Sequence, residues 1–90
     1  MELRVLQYFL AIAREESISR AAEYLHITQP TLSRQIKELE DELGRRLFVR
    51  GSRQITLTEE GMLLRTRAEA VTALRDPTES AIAAPGRAVQ

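Results

Sequence analysis

The sequence predicts a mainly α-helical domain: a three-helix core, a two-stranded β hairpin, and a fourth helix leading away from it. Three observations predict it. Apolar residues recur at helical spacing in three stretches, as in Leu32, Ile36, Leu39 and Leu43. Two short runs of strand formers, residues 47–49 and 54–57, flank a glycine-containing turn. Serine, threonine and glycine punctuate the junctions where helices should start or stop.

The first helix spans residues 2–14. Leu3, Leu6, Leu10 and Ala13 form one apolar line, with Val5, Phe9 and Ile12 beside it, so most of its surface should be buried. Ser17 and Ser19 lie in the gap that follows. Ser19 is read as the N-cap of a short second helix, residues 20–25, with Ala21, Ala22 and Leu25 turned inward. Small alanines let a neighbouring helix cross closely. Thr28 caps the third helix, and Pro30 sits in its first turn, where a missing N–H costs little. Gly44 follows the last apolar residue and is a natural terminator.

The hairpin comes next. Leu47, Phe48 and Val49 make one strand, residues 54–57 the other, and residues 50–53 the loop. A two-stranded hairpin is marginal alone and must pack on the helices. Thr58 caps the fourth helix, with Glu59 and Glu60 in the first turn, where they complement the helix dipole. Leu64, Ala68, Val71 and Leu74 mark its stripe, and Pro77 is expected to end it at Asp76 or before. The aperiodic residues 77–90 are expected to be disordered.

Composition narrows the function. The 90 residues contain no cysteine and one histidine, His26, which leaves no thiolate metal site, disulfide or cysteine nucleophile. No glycine-rich phosphate loop is present, and the chain is small for a catalytic pocket. An enzyme is therefore set aside, with no cofactor, metal or small-molecule site expected. Charges interrupt the N-terminal apolar residues, so no signal peptide is read, and no run approaches the ~20 apolar residues needed to span a bilayer. A soluble cytoplasmic protein with no membrane partner is the expectation.

Thirteen basic and thirteen acidic residues balance to zero, yet they are not mixed. Residues 28–37 hold Arg34 and Lys37 with no acid, and residues 44–58 hold Arg45, Arg46, Arg50 and Arg53 with no acid. Local potential, not net charge, decides where a polyanion docks. Two helices joined by a tight turn, with a basic hairpin behind them, form a winged helix–turn–helix arranged to read duplex DNA.

The pattern resembles the N-terminal DNA-binding domain of LysR-type transcriptional regulators. The marks are Phe9, Ser19, Ala21, Ala22 and Leu25, then Gln29-Pro30, Leu32-Ser33, Ile36 and Leu39-Glu40. Leu43-Gly44, Leu47-Phe48, Arg50, Arg53, Leu57-Thr58 and Gly61 continue it. It covers residues 1 to about 74. Residues 1–57 then form the DNA-binding domain and residues 58–76 the linker helix. Family members continue into a large effector-binding domain, of which these 90 residues hold no counterpart. The resemblance implies a homodimer, or a higher oligomer, paired through the linker helix along Leu64, Ala68, Val71 and Leu74. Such a dimer reads an operator with inverted-repeat symmetry.

The candidate readout residues follow from groove chemistry. A side chain near the N-terminus of a helix in the major groove reaches base edges most easily. Gln29 can bond an adenine edge, and Arg34 can bond guanine or a phosphate. Ser33 suits either kind of group, while Pro30 and Thr31 offer apolar contact to a thymine methyl. Thr28 is a cap and a candidate phosphate ligand. Lys37 lies a turn further on and would meet the backbone. The resemblance implies a wing on phosphate or in the minor groove, which suits Arg53 in or near the groove and Arg50 on phosphate or bracing the wing. The blander reading makes these a solvated helix face and a solvated loop. Arg45 and Arg46 are weaker candidates, since arginines after a helix also serve its dipole. His26, in the turn between the second and third helices, is read as a packing or hydrogen-bonding residue, and Tyr8 and Tyr24 as core residues with hydroxyls at the rim. The alternative function is a truncated regulator that works by heterodimerising.

Overall fold

The computed structural model describes residues 2–51 and 54–83, with side chains as far as Thr72. Four helices and one hairpin follow the predicted order: α1 (Leu3–Glu15), α2 (Ile18–Leu25), α3 (Gln29–Leu43), β1 (Phe48–Arg50), β2 (Ile55–Leu57) and α4 (Glu59–Ala83). The strands are antiparallel, pairing Phe48 with Leu57, Val49 with Thr56 and Arg50 with Ile55.

The core lies where α1, α2 and α3 cross, and the hairpin closes one side of it. Phe9, Ile12, Leu32 and Leu47 are almost wholly buried, each contributing about 2 kcal/mol of apolar transfer. Ala21 and Ala22 are buried as expected and bring α2 close to its neighbours. Phe48 carries the hairpin into this core, its ring 5.2 Å from that of Phe9 and tilted by 44°.

Turn chemistry explains the helix ends. Glu16, His26 and Gly44 adopt the left-handed conformation that ends α1, α2 and α3. Histidine is among the few side chains enriched there. His26 thus has a backbone role while its side chain is exposed. Thr28 caps α3 by accepting the Thr31 N–H, as the sequence indicates.

Four expectations are corrected. The cap of α2 is Ser17, not Ser19: the extended Ser17 accepts the Arg20 N–H at 3.2 Å. The earlier start puts Ile18 in the helix, where it packs against the core. Tyr24 is 59% exposed and stacks beneath the Arg14 guanidinium, 4.2 Å from its ring centroid, instead of entering the core. Leu43 ends the α3 stripe at 38% exposure, because it lies in the last turn, beyond the crossing helices. Finally, α4 does not stop before Pro77 but continues to Ala83. Pro77 lies inside α4, since a proline removes one backbone bond without having to end a helix. Of the tail expected to be disordered, residues 77–83 are helical, and residues 84–90 lie outside the described residues.

Candidate nucleic-acid interface

Gln29, Pro30, Ser33, Arg34 and Lys37 fall at i, i+1, i+4, i+5 and i+8 on α3, which places them along one side of the helix. Leu32, Ile36 and Leu39 hold the other side in the core. Gln29, Pro30, Arg34 and Lys37 are exposed, and Ser33 is half-buried beside them. Thr28 and Thr31 are joined hydroxyl to hydroxyl at 2.8 Å, and the Thr31 N–H donates to Thr28 Oγ1 at 3.3 Å. The Thr28 hydroxyl is thereby engaged in the cap, donating to Thr31 Oγ1 and accepting the Thr31 N–H.

Between α3 and the hairpin runs an open groove. Arg34, Lys37, Arg45, Arg46 and Arg50 line it, against two acids, Glu40 and Asp41. The groove gathers cations that lie far apart in sequence, which is how a chain of zero net charge presents a strongly basic face. Arg45 and Arg46 belong to it, more than the sequence suggested, although Arg45 Nη1 also donates to the Gly44 carbonyl at 3.2 Å. Arg50 sits at the end of β1, opposite Ile55. Arg53 lies outside the described residues.

The hairpin is held firmly at its base. Thr58 donates its N–H to the Leu47 carbonyl at 3.0 Å and its hydroxyl to the Arg46 carbonyl at 2.7 Å, while accepting the Gly61 N–H at 3.0 Å. A Cβ on Gly61 would run into the Leu47 carbonyl oxygen, so only glycine lets α4 come this close. The Ile55 N–H reaches the Glu16 carbonyl at 3.3 Å and ties β2 to α1. Sequence reasoning counted Glu40 among the family marks but gave it no role. Its Oε2 accepts the Leu47 N–H at 2.7 Å.

The α4 stripe divides differently from the expected one. Ala68 is 1% exposed and Leu64, half-buried, packs against the core, on the side of α4 turned towards α1. Val71 stays exposed, as do Met62 and Leu63, which the sequence reading passed over. The Leu74 side chain lies outside the described residues. No helix among the described residues is long and apolar enough to cross a membrane.

A helix pair crossing at a tight turn, an exposed polar face on the second helix and a basic hairpin beside it define a winged helix–turn–helix domain. Comparison with known proteins gives the particular family. Residues 3–62 match the bacterial regulatory helix-turn-helix protein, lysR family, and the chain belongs to that family. The HTH-type transcriptional regulator BsdA of Bacillus subtilis is 51% identical over 72 residues, covering 79% of this chain and 25% of that protein. BudR of Klebsiella aerogenes is 51% identical over 76 residues, 84% of this chain and 53% of its own. The chain thus spans about a quarter to a half of these relatives. Among solved structures, the BenM DBD/catB site 1 DNA complex superposes with a TM-score of 0.84 at 46% identity, covering 89% of each chain. The CbnR DBD–DNA complex gives 0.82 at 35% identity, covering 96% of this chain and 99% of that one.

Proposed function

We propose that this chain binds double-stranded DNA sequence-specifically to regulate transcription, with α3 as the recognition helix in the major groove. The observation that carries the reading is the basic groove flanked on one side by the exposed polar face of α3 and on the other by the wing. Gln29 and Arg34 read base edges, with Ser33 and the apolar surfaces of Pro30 and Thr31 beside them. Lys37, Arg45, Arg46 and Arg50 hold phosphates, and Arg53 reaches towards the minor groove. Thr28 serves the interface by fixing the start of the recognition helix.

Residues 1–57 are the reading domain, and α4 is the linker through which two copies pair. Its exposed Met62, Leu63 and Val71 are the apolar surface free for that purpose. The partner is then an inverted repeat on the bacterial chromosome, met in the cytoplasm. Selection of sites from a randomised duplex pool at near-physiological salt tests the reading. Enrichment of an inverted repeat is expected. Enrichment of single half-sites would remove the dimer, and no enrichment would overturn sequence reading altogether.

A further inference from the structure

Resting on the DNA-binding reading above, we propose that Glu40 is a positioning residue: it fixes the wing relative to the recognition helix and so determines what Arg50 contributes on DNA. Glu40 organises the exit from α3 twice. Its carbonyl accepts the Gly44 N–H at 2.8 Å and the Arg45 N–H at 3.2 Å, which closes the helix. Its carboxylate then catches the Leu47 N–H at 2.7 Å, one residue before β1 begins. A charged acceptor makes this roughly twice as strong as a neutral hydrogen bond; Leu47 is buried and Glu40 half-buried.

The other bonds at the wing base run elsewhere. Thr58 ties residues 46 and 47 to the start of α4, and Ile55 is tied to α1. The bond from Glu40 to Leu47 joins the α3 side to the residue that leads into the wing strand. A recognition helix and a wing must meet the duplex in a fixed relation, and misplacement of a contact by about 1 Å is enough to lose much of its value. Glu40 also places a carboxylate, beside that of Asp41, in a groove where five cations gather, and there it opposes a phosphate. That placement is costly for affinity unless the carboxylate holds something in place, and the Leu47 N–H is what it holds.

The test is a double-mutant cycle on a selected duplex, using the whole chain. In the wild-type background, Arg50→Ala should weaken binding about tenfold. In Glu40→Ala, the same change should weaken it no more than about twofold, because the wing is no longer held where Arg50 reaches the backbone. Arg34→Ala should keep its full effect in both backgrounds, since α3 itself is unmoved. Glu40→Gln, which retains an acceptor oxygen, should restore the Arg50 effect. Equal Arg50 losses with and without Glu40 would overturn the assignment, as would coupling of equal size to Arg34, which would mean general destabilisation. Should Glu40→Ala fail to fold, amide exchange at Leu47 in the wild-type chain decides: protection supports the clasp, and exchange at the rate of an open amide sinks it. A wild-type chain that binds no duplex overturns the functional reading instead, and is distinguished by that from failure of the clasp alone.

Discussion

At the scale of the residue, similar-looking positions separate once their neighbours are known. Arg34 and Lys37 are both exposed cations on one face of α3, yet Arg34 alone offers the planar fork that matches a guanine edge. Arg34→Ala should cost about 1–3 kcal/mol and relax preference at one base pair, whereas Lys37→Ala should weaken all duplexes alike. Competition titrations against single-base variants separate them, and an equal loss on every sequence would reduce Arg34 to a phosphate contact. Gly61 is the opposite case, a residue that acts by having no side chain. Alanine there would gain up to ~1 kcal/mol of helix propensity, but its Cβ would meet the Leu47 carbonyl, a backbone atom pinned by Thr58. Overpacking against fixed backbone costs typically 1–3 kcal/mol, so Gly61→Ala should lower stability by roughly 1–2 kcal/mol net. An unfolding midpoint at or above the wild-type value would refute this.

At the scale of the element, what was legible in the sequence is what periodicity and caps encode. The stripe of Leu32, Ile36 and Leu39, the Thr28 cap and the Gly44 stop placed α3 correctly at both ends, because local chemistry alone decides them. The start of α2 was misread because Ser17 and Ser19 are equally good caps in isolation. What decides between them is Ile18, which packs on the core only if it lies inside the helix. Ser17→Ala should therefore cost about 1 kcal/mol and Ser19→Ala little, a difference that urea unfolding resolves. A larger loss at Ser19 would return the cap to it. Tertiary bonds were not legible at all. The clasp between Glu40 and Leu47 joins positions seven apart across a helix end, with no spacing rule to announce it. The α4 stripe shows the same limit: a period of 3.6 marks a face but not which surface, its own domain or a second copy, will cover it.

At the scale of the whole molecule, charge and apolar surface are separated in space. The basic groove supplies about five cations per copy, so log K for duplex binding should fall against log salt with a slope of about −4 to −5 per bound chain, and twice that for a dimer. A slope near zero in a mobility-shift series would count against phosphate contact. The two sides of α4 make the pairing question separable from folding. Leu63 is 59% exposed, whereas Ala68 is 1% exposed against α1. Leu63→Glu adds charge to a surface that already meets water, so stability should change by less than about 0.5 kcal/mol. If a second copy covers that surface, the same charge would be desolvated without a partner, at several kcal/mol, and pairing should fail. Ala68→Glu should instead unfold the domain itself. Sedimentation and half-site binding of the Leu63 variant read the outcome: a folded monomer that still binds single half-sites is expected. A variant that remains dimeric would move the contact to another face, with the wing's Val49 the next exposed apolar residue to test.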